Sequence, residues 1–187
     1  ALGASFVAIQ TYAVPIAGVA LFTVASLAGQ TGISLWVDHV GLAGGSRVII
    51  TKRRVIAAII TILAVVVSTW DRFTISNFSV LTIVFAVFSG TWVGVQRALN
   101  GQINSYSKAS FATSLLNFIT GTTFLLFLLL LRTLFTDHSV MNFTSGPWWM
   151  FLGGSIGVIY IALSAHIVQY VGVLEFILFS VGGMLIG

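Results

Sequence analysis

The sequence contains no cysteine and few charged residues, and each deficiency argues against a class of protein. Without cysteine, the chain has neither disulfides nor thiolate metal ligands. Charged residues make up 6% of the chain, whereas soluble domains carry about 25%. A water-soluble protein of this size needs a charged surface, and this chain has too few charges to form one.

Motifs for nucleotide hydrolysis and for common enzyme sites are missing as well. No G-x-x-x-x-G-K-[ST] loop occurs, so the sequence does not support ATP-driven transport by this chain. It shows neither an H-E-x-x-H pattern nor a serine–histidine–acid arrangement. Asp38 and His39 are adjacent near a helix end, but a metal pair there is not favoured. We therefore expect no enzyme activity, no cofactor and no metal site.

Long apolar runs are the most prominent feature that is present. Hydrophobic residues make up 58% of the chain and the mean hydropathy is +1.09, which is typical of a helical membrane protein with several spans. Segments such as "SLLNFITGTTFLLFLLLL" do not alternate polar and apolar residues as the strands of a membrane barrel do. We predict an all-α, multi-pass integral protein of the cytoplasmic (inner) membrane.

The length of a membrane span divides these runs into helices, since about 20 apolar residues cross a bilayer. The predicted spans are residues 13–36, 54–70, 76–98, 110–132 and 147–168, with a partial helix at 1–11 and a last helix beginning near Val171. The predicted breaks include "VDHVGLAGGSRVIITKRR", "DRFTISN", "NGQINSYSK" and "TDHSVMNFTSGP". Both ends of the chain are apolar, and we expect it to be part of a longer protein.

Basic residues indicate how the helices are oriented. The formal net charge is +4, but the basic residues flank apolar spans and form no single patch, so we expect no nucleic-acid partner. One side of the membrane is predicted to carry Arg47, Lys52, Arg53, Arg54, Arg97 and Lys108, and the other only Arg72 and Arg132. The positive-inside rule places the first group in the cytoplasm.

The first and last apolar segments align at a shift of 154 residues, which places Gly18 over Gly172. Identical pairs in this register include Gly3/Gly157, Ala8/Ala162, Val14/Val168, Val19/Val173, Phe22/Phe176, Ser26/Ser180 and Gly29/Gly183. An odd number of spans separates each segment from its copy, so the copies cross the membrane in opposite directions. An inverted repeat of this kind is typical of secondary transporters.

Several segments resemble the YdcZ-type family of the drug/metabolite transporter superfamily: "GTWVGVQRALNGQI", "SFATSLLNFITGT", "PWWMFLGGSIGVIYI" and "LAGQTGISLWVDHVGL". The matching patterns are Gly94-x-Gln96-x-x-x-Asn100, Asn117-Phe118-x-x-Gly121, Gly153-Gly154-x-x-Gly157, and Gly29-Gln30 with Asp38. The resemblance implies a helix bundle of inverted five-helix repeats. Residues 1–72 would then hold helices 3–5 of a first repeat, and residues 73–187 helices 1–4 of a second. Gln30 aligns with Met184, so we expect no symmetric role for it.

Two interpretations of Glu175, an acid within the last apolar run, stay open. Intramembrane carboxylates often bind cations or couple transport to protons. Alternatively, Glu175 lies about one helical turn, roughly 6 Å, inside the cytoplasmic boundary, where it could pair with a base such as Arg97. Its counterpart in the first copy is Leu21, so the repeat does not itself require an acid.

Amide and aromatic side chains supply the other candidates for a substrate path. Gln96 and Asn100 share a helix face, and the sequence leaves open whether such amides line a path or join helices. The full candidate set is Glu175, Gln96, Asn100, Asn117, Gln30, Trp92 and Tyr160. The two aromatic residues in it fit an apolar or cationic ligand. Close helix packing is expected at Gly90, Gly94, Gly153 and Gly157.

Together these features predict a secondary transporter that exports small organic molecules or metabolites by alternating access. A non-transporting membrane scaffold or assembly partner is the alternative function. The expected partners are the lipid bilayer and a small-molecule substrate. Coupling to protons or another ion, and assembly into a homo-oligomer, stay open.

Overall fold

The computed structural model describes residues 2–45, 47–68, 70, 80–135 and 146–186. They form seven α-helices: α1 (Leu2–Ala17), α2 (Val19–Val40), α3 (Lys52–Ser68), α4 (Val80–Ser107), α5 (Ser110–Phe135), α6 (Leu152–Val171) and α7 (Val173–Ile186). A 3₁₀ turn at Trp148–Phe151 leads into α6. The described residues include no β-strand, and α2, α4, α5 and α6 are long and apolar enough to cross a membrane. The all-α prediction is therefore confirmed. The predicted break at 71–77, residues 136–145 of the predicted break at 136–147, and the boundary after residue 72 fall outside the described residues.

A single glycine separates α1 from α2, and another separates α6 from α7. Gly18 has a φ of +80° and Gly172 a φ of +86°, which side chains with a Cβ rarely adopt. Each glycine N–H bonds to the carbonyl oxygen four residues earlier, on Val14 and Val168 respectively. The predicted end of the first helix at residue 11 is wrong, because α1 continues through Pro15 until glycine permits the positive φ. The two breaks occupy aligned positions of the 154-residue shift.

Helix α4 extends beyond its predicted end at residue 98, and "NGQINSYSK" is not a loop, since α4 continues to Ser107. Asn100 and Asn104 are 6% and 3% exposed, so these amides pack against other helices instead of entering solvent. The prediction that Arg97 borders a cytoplasmic loop is also wrong. Arg97 lies about 15 Å before the end of α4, at 1.5 Å per residue.

Helices α2 and α4 pack closely and run parallel. The backbone of Gly29 in α2 faces the carbonyl oxygen of Val87, and the carbonyl oxygen of Ala43, just after α2, faces Gly101. Residue numbers therefore rise in the same direction along both helices. Two buried apolar clusters adjoin this pair, one around Val37, Ala98, Val168, Val173, Ile177 and Val181, and the other around Ala13, Phe22, Ala25 and Ala86.

Helix α1 runs antiparallel to α4. Gly3, at the start of α1, faces the side chain of Gln96 in the second half of α4. Ala13, near the end of α1, packs in the same cluster as Ala86 in the first half of α4. The two helices therefore cross the bundle in opposite directions.

Helix α6, in contrast, runs parallel to α4. Tyr160 accepts a hydrogen bond from Arg97, and further along both helices the carbonyl oxygen of Ala165 accepts a long hydrogen bond from Asn104. Helices α1 and α6 start the two aligned segments, so those segments run in opposite directions. An inverted repeat requires this arrangement.

The two basic connections lie at the same end of the bundle. Gly44, between α2 and α3, faces Ser105 in the last turn of α4, and Lys108 follows that turn directly. Arg47 belongs to the first of these connections. The positive-inside rule makes this shared end cytoplasmic.

We expect single cysteines introduced at Lys52 and Lys108 to resist an impermeant thiol reagent in intact cells, because the positive-inside rule places both positions in the cytoplasm. The chain has no cysteine of its own, so the label reports only the introduced position. A cysteine at Trp148, which is 71% exposed at the opposite end, should react. Permeabilised cells should label all three variants. Labelling of positions 52 and 108 from outside would reverse the orientation.

Candidate functional site

A cavity of about 620 Å³ lies between α1, α4, α5 and α6, and Gln30 of α2 also reaches it. Its polar lining consists of Gln30, Gln96, Arg97, Asn100, Asn117, Thr122, Tyr160 and Ser164. The rest of the lining is apolar or glycine. A few polar groups on a largely apolar wall are typical of a small-molecule site.

The cavity lies at the mid-depth of α4, α5 and α6. Its lining covers residues 93–100 on α4, 117–125 on α5 and 157–164 on α6. At 1.5 Å per residue, each stretch lies about 10–22 Å from the cytoplasmic end of its helix. In a hydrocarbon core about 30 Å thick, this depth is central, which is where many secondary transporters bind their substrates.

Arg97 links α4 to three other helices at the cavity wall. Its Nη1 donates a hydrogen bond to Oε1 of Gln30 at 2.8 Å, and its Nη2 donates to the hydroxyl oxygen of Tyr160 at 3.2 Å. Its guanidinium carbon lies 5.5 Å from the ring centre of Phe176, within the range of a cation–π interaction. These contacts hold a positive charge at the mid-depth of the bundle.

Three amides lie along the same cavity. Nε2 of Gln96 donates to Oδ1 of Asn117 at 2.5 Å, which joins α4 to α5. Gln96 also faces Gly3 so closely that a Cβ there would collide with the amide. Asn100, one turn further along α4, lines the cavity and is 6% exposed. All three amides therefore line the cavity, and Gln96 and Asn117 also join two helices.

Glu175 and Trp92 lie outside this lining. Glu175 is in the first turn of α7, at the cytoplasmic end, where the helix dipole stabilises a negative charge. Among the described residues it forms no ion pair with Arg97, so the suggested pairing is not observed. Trp92 packs against Phe88 with ring centres 4.9 Å apart. Of the seven candidates, the structure thus brings together Gln30, Gln96, Asn100, Asn117 and Tyr160.

Arg97 is the charged residue of the described lining, and it was not among the candidates from the sequence. The sequence prediction treated Arg97 as a charge at the border of a loop, whereas it lies inside α4. The signal that could have identified it is its place between two candidate amides, Gln96 and Asn100, on an apolar helix. An ionisable residue within a span indicates a functional site by default.

A second polar cluster joins α2, α3 and α7 at the cytoplasmic end. Asp38 is 3% exposed, and its Oδ2 pairs with Nη2 of Arg54 at 2.6 Å. Its two carboxylate oxygens accept the backbone N–H groups of Val173 at 2.7 Å and Leu174 at 3.0 Å. Asp38 therefore caps α7, whose first N–H groups have no partner within the helix. The sequence indicated Asp38 as part of a motif and as a disfavoured metal ligand, and it did not indicate this capping role.

The predicted packing glycines differ in their surroundings. Gly90 and Gly94 lie where α4 meets α2, and a Cβ on either would collide with atoms of that helix. A Cβ on Gly157 would lie 3.2 Å from the ring of Phe118, whereas one on Gly153 would meet no described atom within 4 Å outside its own turn of helix. The structure thus shows close helix packing at the first pair and none at Gly153.

The cavity offers a charge and several hydrogen-bonding groups. No group of three or more histidine, aspartate or glutamate residues in the described part of the chain could hold a metal ion. The lining instead combines one guanidinium, several amides and two kinds of hydroxyl. This chemistry suits the polar group of an organic molecule whose remainder lies on the apolar wall.

Comparison with known proteins identifies the family. The family model described as "Putative inner membrane exporter, YdcZ" matches residues 1–67 and 81–187. The curated proteins and the solved structures gave no significant match. The family agrees with the bundle of apolar helices and places the chain in the inner membrane. This chain therefore belongs to the YdcZ family of inner-membrane exporters.

Proposed function

We propose that this protein is a secondary transporter that exports small organic molecules by alternating access, with the cavity as its substrate site. The observation that carries this proposal is the polar cluster of Gln96, Arg97, Asn117 and Tyr160 at the mid-depth of apolar helices. A charge at the centre of a bilayer costs about 2.5–3.5 kcal/mol on insertion scales. A side chain retained at such a cost usually lines a substrate or ion pathway.

The aligned segments supply equivalent walls of this cavity. Gly3, Phe6 and Val7 of α1 line it, and so do their counterparts at the 154-residue shift, Gly157, Tyr160 and Ile161 of α6. The two segments cross the membrane in opposite directions, as their contacts with α4 indicate. A site between inverted repeats is the arrangement around which many transporters open alternately to either side. We accordingly assign residues 1–72 and 73–187 to two repeats.

We expect a cysteine at Val93 to react with an impermeant thiol reagent from both sides of the membrane, because an alternating site opens to each side in turn. Val93 lines the cavity in a chain without cysteine. Labelling would be measured in right-side-out and inside-out vesicles that hold a proton gradient, since an open pore would dissipate it.

The matched control is a cysteine at Leu163, which is 56% exposed on α6 and outside the lining. Lipid should shield this position from a charged reagent on both sides. Reaction of the Val93 cysteine from one side only, or from neither, would contradict alternating access and favour a scaffold.

A further inference from the structure

We infer that the transported substrate is a small organic anion whose acidic group binds Arg97 and whose apolar body lies against the cavity wall. This inference rests on the proposed transport function and specifies the substrate class of the same site. It follows from the charge inventory of the cavity, from the hydrogen-bonding capacity of Arg97 and Tyr160, and from the apolar surface around them.

Among the residues that the structure describes, the lining contains one cation and no carboxylate. Two acidic residues lie in the described part of the chain. Asp38 is paired with Arg54 at the cytoplasmic end, and Glu175 lies in the first turn of α7, outside the lining. Arginine remains charged in proteins, so the described lining carries a net positive charge in a region of low dielectric. A ligand of opposite charge offsets that charge, whereas a cationic ligand adds to it.

The guanidinium has donors left for such a ligand. Hydrogen bonds among the described residues engage two of its N–H groups, on Nη1 and Nη2, out of the five that a guanidinium provides. The hydroxyl oxygen of Tyr160 accepts one of these bonds, so its own proton is available to a second acceptor. A guanidinium fork with a neighbouring hydroxyl donor matches the two oxygens of a carboxylate.

The sequence left open whether the aromatic residues serve an apolar or a cationic ligand, and their positions favour the apolar one. Trp92 is outside the lining, and the ring of Phe176 already faces Arg97. Instead, Phe6 and Leu125 belong to an apolar wall within a cavity of about 620 Å³. Such a wall accommodates the hydrocarbon portion of an organic anion.

The test compares how fast anionic and cationic methanethiosulfonate reagents modify a cysteine at Val93 in the purified full chain. Val93 lies one turn before Arg97 on the same face of α4. Each rate is divided by the rate of the same reagent with 2-mercaptoethanol, which removes differences in intrinsic reactivity. We expect the anionic reagent to react about tenfold or more faster, because opposite charges attract strongly at this separation in a low dielectric.

Substitutions of Arg97 identify the source of the preference. Arg97→Gln should bring the normalised ratio close to one, and Arg97→Lys should retain most of it. Equal normalised rates in the Val93 cysteine variant with Arg97 intact would overturn the anion inference alone, without needing a folded Arg97 variant. A retained ratio in Arg97→Gln would also overturn it. A cysteine that reacts with neither reagent would overturn the proposed transport site itself.

Discussion

Replacing Asp38 with alanine is expected to lower the free energy of unfolding by about 3–5 kcal/mol, because it removes the partner of a largely buried guanidinium. Asp38 is 3% exposed and pairs with Arg54 at 2.6 Å. The backbone N–H groups of Val173 and Leu174 lose their acceptor as well. The change would be measured as a fall in the denaturation midpoint of the purified protein in detergent.

His39 provides a matched control because it follows Asp38 directly and is exposed. His39→Ala should change stability by no more than about 0.5 kcal/mol. The double variant Asp38→Ala with Arg54→Met should lose less than the sum of its single substitutions, because it leaves no unpaired charge. If the Asp38→Ala protein were as stable as the His39→Ala protein, the cluster of Asp38 and Arg54 would contribute little to the free energy of unfolding.

Gly90→Ala is expected to destabilise the protein by about 1–3 kcal/mol, although alanine is the better helix former. A Cβ on Gly90 would collide with the carbonyl oxygen of Ser26, a backbone atom that cannot rotate away. Helices α2 and α4 would have to move apart, which would also separate Gln30 from Arg97. Unfolding of the purified variant in detergent would measure the loss.

Gly32→Ala, in the same pair of helices, is expected not to destabilise the protein, in contrast to Gly90→Ala. Gly32 lies in the interior of α2, and apart from its own turn of helix no described atom lies within 4 Å of the position of its Cβ. The substitution should therefore leave stability unchanged or raise it by up to about 1 kcal/mol through helix propensity. Equal responses of the two variants would refute the close approach of α4 to α2 at Gly90.

Part of the candidate site could be predicted because polar side chains have few places in an apolar helix. Gln96, Asn100 and Asn117 each need a polar partner in the membrane, so they gather where helices meet around a cavity. Gln30 and Tyr160 lie with them. Glu175 and Trp92 lie outside the cavity lining. The polarity or aromaticity of a residue does not specify on which face of its helix the side chain lies.

The errors in helix boundaries have local causes. The break after α1 falls at Gly18 and not near residue 12. The helix ends where glycine can adopt a positive φ, and the polar residues near position 12 do not interrupt it. The end of α4 was placed too early because Asn100 and Asn104 read as loop residues. Both amides are buried against neighbouring helices, which is a tertiary property that the sequence does not show. Because α4 continues through them to Ser107, Arg97 lies inside the bundle and not at the border of a loop.

The sequence by itself determined that the chain is helical, lies in a membrane and contains two aligned segments. The hydrocarbon core of a membrane excludes unpaired backbone groups and most charged side chains. A membrane protein therefore has few charges and apolar runs long enough to form spanning helices, and both features are visible in the sequence. Only the tertiary structure decided which residues meet. Asp38 caps α7 across 135 residues of chain, and Arg97 bonds to Gln30 across 67. Helical periodicity specifies neighbours within a few turns, so contacts over such separations depend on how whole helices pack.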